Sequence, residues 1–322
     1  MNGQRTIPSL RPETLTWAQA QSMFALRSRA GGHSATTADN YQWSLNIAAP
    51  FFLGLGAERP ASVSSVHVKQ FLDDLRKRGL SSSTVETRYR HLRTFFRSLI
   101  ADGLLEKDPT DRVAKPRIES RRPSSFSPDD FTAMLRQINA GSSLGKRDIA
   151  LVCMLYDSGA RVSEVLSLKI SDLDITHGQA TIRGKGGKFR PIAWGDKTRR
   201  AVLDWLRCRP DALPGAPLFS DQYGGPLTRN AVRLRLKRLT QKAGIASVRL
   251  GAHALRHGCA LSLLRGGADL ETVRRVLGHS RLTTTQIYLQ GLSDEEALAK
   301  ARAVGVVDRL GNLPNQRRVR LR

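Results

Sequence analysis

The chain has 322 residues, of which 40% are hydrophobic and 25% are charged, so it is too apolar for a disordered protein and long enough for two domains. Its 52 lysines and arginines against 28 acidic residues give a formal net charge of +24. This excess indicates a polyanionic partner, because neutralising phosphates releases condensed counterions. Nucleic acid is the leading candidate, although ribosomal and membrane-surface proteins share this charge pattern.

Neither membrane insertion nor secretion is indicated. The chain has no uncharged apolar run of about 18 residues, and residues 1–17 lack the apolar core and cleavage site of a secretory signal. Cys153, Cys208 and Cys259 are widely spaced inside apolar patterns, which predicts buried, reduced thiols rather than a disulfide or zinc site. We therefore expect a cytoplasmic protein that makes no membrane contact.

The first part of the chain is predicted to be a small helical bundle. One helix is expected around residues 41–52, a second over residues 68–75 and a third over residues 84–100. Ser83 and Glu86 form a capping-box pattern at the start of the third helix. That helix carries a single apolar stripe, which consists of Val85, Tyr89, Leu92, Phe96 and Leu99.

A basic stripe runs along the same third helix. Arg90, Arg93 and Arg97 share a face that differs from the apolar one, and they are candidates for contacts to DNA phosphates. A solvated basic face explains the same pattern equally well when the helix is considered alone.

The domain boundaries follow from composition. Residues 116–126 are rich in Pro, Ser and Arg, and they predict a basic linker between two domains. We assign residues 1–115 to an N-terminal domain and residues 127–292 to a second domain. Residues 293–322 are assigned to a C-terminal helix and a basic tail.

The second domain is predicted to be mostly helical with one small sheet. Ser127, followed by Pro and two acids, is typical of a helix start. Residues 147–168 form an apolar helical region that is interrupted at Gly159, and residues 179–194 form two β-type runs around a Gly-rich turn. Helical patterns return from Thr198 onward.

Short segments of this domain carry polar side chains suited to phosphate chemistry. Any one of them alone is better explained as an ion pair, a turn or a packed residue. Arg161 and Glu164 are three residues apart, which places them on one face of a predicted helix. In chain order the residues are Arg161 with Glu164, Lys185 at the Gly-rich turn, His253 with Arg256, His279 and Tyr288.

These residue types fit cleavage of a DNA strand without a metal ion. A tyrosine such as Tyr288, with an ordinary pKa of about 10, is a weak nucleophile unless its surroundings activate it. Two arginines can hold both non-bridging oxygens of a phosphate, and Arg161 and Arg256 are the obvious pair. Such charge stabilisation is often the largest catalytic contribution.

The combination and order of these segments resemble the catalytic domain of the tyrosine recombinases, the family of the phage integrases and the Xer-type resolvases. HALRH, followed by LGHS and TTTQIY, carries the resemblance, which spans about residues 127–290. It implies a mostly α-helical fold, with a SAM-like, core-binding helical bundle followed by a mixed α+β catalytic domain with a small antiparallel sheet.

The resemblance also implies roles for the remaining polar residues. Tyr288 forms a 3′-phosphotyrosyl intermediate, Lys185 protonates the leaving 5′ oxygen, and His253 assists proton removal from the tyrosine. His279 donates a hydrogen bond to the phosphate, and Glu164 orients its neighbours.

The resemblance further implies the partners of the reaction. The substrate is double-stranded DNA with a specific recombination site, bound by a homotetramer that exchanges strands through a Holliday junction, with accessory proteins possible in some members. We expect no cofactor and no metal, because the sequence has neither a Walker-type loop nor a carboxylate cluster suited to two metals.

Two further segments are candidates for DNA and subunit contacts. Arg229, Arg233 and Lys237 lie four residues apart on a predicted helix, which is our candidate for the major groove. The helical pattern at 293–310 is a candidate for docking on a neighbouring subunit, as in relatives, and the final NQRRVRLR is a candidate phosphate-binding tail.

Other functions share parts of this pattern. A type IB topoisomerase uses a similar set of Arg, Lys, His and Tyr to relax supercoils, and a non-catalytic DNA-binding protein derived from a recombinase is the second alternative. The biological role also stays open between a mobile-element integrase and an Xer-like resolvase.

Overall fold

The computed structural model describes residues 14–118, 126–184, 187, 189–209, 212–245 and 251–291. Lys185 and the predicted C-terminal helix and tail lie outside the described residues. The chain separates into two compact units, Met1–Arg121 and Arg122–Arg322. Within the described part of the chain, no helix combines the length and the apolar character needed to cross a membrane.

The N-terminal unit is a bundle of helices with a short 3₁₀ turn at Pro60–Ser62 between the second and third. The predictions for residues 41–52, 68–75 and 84–100 are confirmed as helices. In chain order the helices are α1 (Trp17–Ala30), α2 (Ala35–Gly54), α3 (Ser65–Lys77) and α4 (Ser82–Ala101).

Helix α1 was not predicted, because small residues interrupt the hydrophobic pattern of its buried face. Trp17 and Phe24 alternate there with Ala20 and Ser28, so hydrophobicity alone shows no clear period. The indole of Trp17 stacks on Phe52 at 5.7 Å, and its Nε1 donates to a backbone carbonyl. The burial of an aromatic anchor therefore places a helix whose own sequence signal is weak.

The predicted capping box at the start of α4 is wrong. The helix begins earlier, and the side chain of Ser81 accepts a hydrogen bond from the backbone of Thr84. Ser83 is consequently already inside the helix, where it cannot act as the cap. Glu86 is buried, and its carboxylate lies 3.2 Å from Nζ of Lys115.

The C-terminal unit is mostly helical around a three-stranded antiparallel sheet of order β1-β2-β3. The two predicted β runs are confirmed as strands. A further strand of two residues precedes them in the chain and pairs with the first of them. The elements are α5 (Pro128–Leu135), α6 (Ser143–Ser158), α7 (Val162–Leu166), β1 (Leu173–Asp174), β2 (Gln179–Arg183), β3 (Phe189–Ala193), α8 (Asp196–Leu206), α9 (Arg229–Lys242), α10 (Ala252–Arg265), α11 (Leu270–Leu277) and α12 (Thr283–Gln286), with a 3₁₀ turn at Ile287–Gly291.

The charged side chain of Arg190 lies on the inner face of the sheet. Ile182 pairs with Arg190 across β2 and β3, and Ala180 pairs with Ile192. Ala180, Ile182 and Ile192 are buried, so strand alternation places Arg190 on the same inner face.

The break predicted at Gly159 ends α6 and has two physical reasons. The residue has φ of +58°, a left-handed conformation that favours glycine. A Cβ at this position would lie 2.7 Å from Cδ2 of Leu277 and 3.0 Å from Sγ of Cys259. The close approach brings the end of α6 against the end of α11, where the polar residues converge.

The thiol prediction is only partly correct. All three cysteines are free, but only Cys259 is buried, whereas Cys153 and Cys208 are half-buried.

Candidate active site

Arg161 and Glu164 meet at the start of α7. Arg161 is the N-cap residue rather than a residue on a helical face, as the spacing had suggested, because the chain is still extended there. Glu164 lies in the first turn, and its carboxylate accepts from the Arg161 backbone N–H and from Nη1, both at 2.8 Å. The local turn thus holds the guanidinium in place, while 39% of the Arg161 side chain stays exposed.

Glu164 also connects this turn to the sheet. Its side chain is 5% exposed, and its Oε2 accepts from Nη2 of Arg190 at 3.1 Å. Nη1 of Arg190 donates to the carbonyl of Val276 near the end of α11 at 2.7 Å. Burial alone would raise the pKa of Glu164, but the hydrogen bonds from Arg161 and the charge of Arg190 outweigh it and lower this pKa.

Glu164→Gln is expected to destabilise the protein in a pH-dependent way. A carboxyl whose pKa is lowered by folding stabilises the native state above its ordinary value of 4.5 and loses that effect as pH falls through the lowered value. At pH 7 we expect a loss of about 2 kcal/mol, less than for a fully buried pair because Arg161 is partly solvated. Urea unfolding of both proteins should converge below the lowered pKa.

Glu271→Gln is the control for this series. Glu271 also pairs with arginines, Arg274 and Arg275, but on the exposed surface, so its replacement should leave stability close to wild type. A gap between wild type and Glu164→Gln that is unchanged in acid would contradict the assignment.

Arg256 lies on α10 and is almost completely buried, with 6% exposed. Its Nη1 donates to the carbonyl of Gly159 at 2.7 Å, and its Nη2 donates to the carbonyl of Leu277 at 2.6 Å. Burial lowers its pKa, as does the neighbouring charge of Arg161, although the guanidinium stays protonated. Arg256 therefore bridges the ends of α6 and α11 and carries a positive charge with no carboxylate against it among the described residues.

Tyr288 lies in the last 3₁₀ turn and is 4% exposed. Its ring packs edge-on to His257 at 5.1 Å and parallel to His279 at 6.2 Å. Burial raises the pKa of the phenol, whereas the charge of Arg256 and its hydrogen bond to the phenol oppose that rise. A cation at the hydroxyl is the arrangement that stabilises a phenolate.

His279 follows the left-handed Gly278, which ends α11. Its Nδ1 lies 2.9 Å from Oγ1 of the fully buried Thr285, and its carbonyl accepts from Nη1 of Arg274 at 2.6 Å. Burial and the charges of the surrounding arginines lower its pKa to about 4. The imidazole is thus neutral at pH 7.

The structure brings together four of the six residues predicted for catalysis, together with Glu164, which was predicted to orient its neighbours. His253 lies on the exposed side of α10, one turn before Arg256, and Lys185 lies outside the described residues. The five that converge are Arg161, Glu164, Arg256, His279 and Tyr288.

The residues predicted to contact DNA differ in their surroundings. Arg229, Arg233 and Lys237 are exposed along α9, whose buried side is formed by Val232, Leu236 and Leu239. On α4, Arg90 is exposed and Arg93 is half-buried. Arg97 differs, because its guanidinium lies 3.3 Å from the carboxylate of Asp108.

Sequence reasoning missed several residues of the site. Arg190 could have been found from strand alternation, because a charge on the inner face of a strand needs a partner. Thr285 gives no comparable local signal, whereas His257 is part of the HALRH motif and was expected to have a structural role. A cleft of about 400 Å³ beside Arg161 is also lined by Arg183 and the serines 163 and 167, which supply a further charge and two hydroxyls.

This arrangement can act on a phosphodiester. Two arginines and a neutral histidine lie around a buried tyrosine, and the charges of both arginines act on its phenol. A family model described as "Phage integrase family" matches residues 125–295, and one described as "Phage integrase, N-terminal SAM-like domain" matches residues 26–103. The chain belongs to the phage integrase family. The family prediction is thereby confirmed, together with the SAM-like first domain, and the chain is a DNA recombinase or integrase by class.

Individual relatives agree with the family. The tyrosine recombinase XerC of Bacillus subtilis (strain 168) is 33% identical over 80% of this chain and 86% of its own length. The XerC of Vibrio parahaemolyticus serotype O3:K6 is 32% identical over 82% of this chain and 84% of its own. Among solved structures, the Tn1549 transposon integrase in complex with a circular intermediate DNA has a similar fold, with a TM-score of 0.72, 21% identity, and coverage of 90% of this chain and 100% of that one.

Proposed function

We propose that this integrase-family protein is a site-specific recombinase that cleaves and rejoins DNA through Tyr288, without ATP or a metal ion. The observation that carries the proposal is the packing of the buried Tyr288 ring against His257 and His279, beside the buried Arg256, whose positive charge acts on the phenol. This packing supports Tyr288 as the nucleophile and Arg256 of the same chain as the cation that would bind the scissile phosphate, and it supports cleavage in cis.

In the first step, Oη of Tyr288 attacks phosphorus and the bond to the 5′ oxygen breaks. The phenolic proton leaves to a base, for which His253 is the candidate by family resemblance. Lys185 delivers a proton to the departing oxygen. Arg161 and Arg256 stabilise the negative charge that develops on the non-bridging oxygens.

The step conserves the energy of the phosphodiester. The product is a 3′-phosphotyrosine and a free 5′ hydroxyl, so a 5′ hydroxyl from another strand can attack and restore Tyr288. Neutral His279 would donate through Nε2–H to the phosphate if Nδ1 accepts from the Thr285 hydroxyl. Glu164 holds Arg161 in position and does not react.

DNA binding is proposed for exposed residues of both units. Arg229, Arg233 and Lys237 are our candidates for the major groove, and their exposure on α9 supports this assignment. The Tn1549 integrase was solved with DNA, which supports double-stranded DNA as the partner. We further propose a tetrameric synapse on bacterial nucleoid DNA in the cytoplasm, with the C-terminal helix docked on a neighbouring subunit.

A nicked suicide duplex tests the proposed chemistry. When the nick lies next to the cleaved phosphate, the short leaving strand diffuses away and the covalent adduct accumulates. We expect an adduct that forms with EDTA present and ATP absent, and whose tryptic peptide maps to Tyr288. Hydrolysed DNA without bound protein, or a strict need for a metal ion, would refute the proposal.

Plasmid assays separate the alternatives. A type IB topoisomerase would relax supercoiled plasmids that lack a recombination site, whereas a recombinase requires paired sites for products. A non-catalytic DNA-binding protein would form no adduct with either substrate.

A further inference from the structure

The N-terminal unit contains a buried arginine without an acidic partner. Arg88 on α4 is 3% exposed, and no carboxylate of the described residues lies within ion-pair distance of it. Its Nη1 donates to Oγ of Ser44 at 2.5 Å, and its guanidinium carbon lies 3.5 Å from the ring centroid of Trp43. Its Nε has no hydrogen-bond partner in the described part of the chain.

This arrangement leaves the charge of Arg88 under-compensated. Removing a guanidinium from water costs more free energy than its contacts with one neutral hydroxyl and one aromatic ring recover. Burial correspondingly lowers the pKa of Arg88. His91, whose Nδ1 lies 2.6 Å from the same Ser44 hydroxyl, adds no compensating negative charge, because an imidazole is either neutral or positive. Burial and the charges of Arg90 and Arg88 lower its pKa to about 4.

Arg88 lines an open cleft of about 400 Å³ between α2 and α4. The cleft lies at the first turns of α4, where the positive end of the helix dipole favours an anion. Trp43 stands at its edge with 56% of its surface exposed. The other lining residues are polar or positively charged, namely Asn40, Ser83, Thr84, Thr87, Arg90 and His91.

We propose that this cleft binds one backbone phosphate of duplex DNA, with Arg88 as the buried cation and Trp43 packed against the adjoining sugar or base. The inference rests on the proposed function, since it takes duplex DNA as the substrate. It also revises the predicted basic stripe of α4. The DNA-contacting end is the one with Arg88 and Arg90, whereas Asp108 engages the charge of Arg97 at the other end.

Salt-dependent binding of the full chain to a random 30-base-pair duplex tests the proposal. Each neutralised phosphate contributes about 0.9 to the slope of log Kobs against log salt. Arg88→Met should therefore weaken binding and reduce the slope by about 0.9. The same variant should keep or raise the Tm of the free protein, because it replaces an unpaired buried charge with an apolar side chain.

Two more variants complete the experiment. Thr87→Glu places a carboxylate at the edge of the cleft without touching the packing of Arg88, and it should also weaken binding. Arg76→Met is the control, because it removes an exposed charge from α3, outside the cleft, and it should retain the wild-type slope.

The outcomes are distinguishable. Wild-type affinity and slope in Arg88→Met, with a lowered Tm, would overturn the phosphate site and assign Arg88 a purely structural role. If Arg88→Met fails to fold, undiminished binding by Thr87→Glu overturns the proposal. Failure of the wild-type chain to bind any duplex refutes the proposed function itself, whereas wild-type binding with unaffected variants refutes only this site.

Discussion

Tyr288→Phe is expected to abolish strand cleavage and to leave the fold and DNA binding intact. The substitution removes the oxygen that attacks phosphorus, so adduct formation on the suicide duplex should fall by at least about 10⁴-fold. The phenylalanine ring keeps its packing against His257 and His279. Loss of the hydrogen bond to Arg256 should cost only about 1 kcal/mol of unfolding free energy. Adduct yield, duplex affinity and thermal unfolding measure the three expectations.

Tyr156→Phe is the matched control. Tyr156 lies in the same unit, half-buried, and its hydroxyl also makes one side-chain hydrogen bond, to Ser262 at 3.1 Å. Its ring stacks on Phe131, so this substitution tests the loss of a comparable hydroxyl away from the proposed nucleophile. We expect near wild-type adduct formation. Adduct that persists in Tyr288→Phe would show that another residue is the nucleophile.

Arg256→Lys is expected to impair both catalysis and stability. A lysine has one ammonium group and cannot reproduce the two-armed bridge between the carbonyls of Gly159 and Leu277. Losing donors at two buried carbonyls should cost roughly 2–4 kcal/mol of unfolding free energy. Loss of one charge-stabilising donor at the phosphate should lower the single-turnover cleavage rate by about 10²–10³-fold.

Arg209→Met separates the two effects, because it removes both hydrogen bonds of a comparable arginine. Nη1 of Arg209 also donates to two carbonyls, those of Pro217 and Leu218, at 2.8 and 3.1 Å, but it does not contact Tyr288. We expect this variant to lose stability while its folded fraction cleaves at the wild-type rate. If Arg256→Lys loses stability but cleaves normally once folded, then Arg256 holds the fold together and does not act on the phosphate.

The effects expected for Tyr288→Phe and for Arg256→Lys have the same structural cause. Arg190 and Arg256 hold the consecutive carbonyls of Val276 and Leu277 at the end of α11. The chain then turns at Gly278 and supplies His279 and Tyr288 to the same site. Arginine side chains thus position the segment that carries the proposed nucleophile and also provide positive charge around it.

Local patterns in the sequence predict most of the helices and the order of the site residues. Helical periodicity located α3, α4 and α9, and the order of Arg161, Arg256 and Tyr288 among the polar segments indicated the family. These features were readable because side-chain chemistry and helical period are local properties of the chain. The Ser83 cap and the helical-face placement of Arg161 failed because boundary positions depend on which neighbouring residue caps first.

The contacts that hold the site together join segments that are far apart in the sequence. Arg190 reaches Glu164 across 26 positions, and Arg256 reaches Gly159 across 97. The tertiary structure also decided that Arg88 is buried without an acidic partner while Arg97 is paired, although both lie on one helix. Burial and ion pairing depend on which distant segments pack against a side chain. Local residue spacing therefore does not predict them.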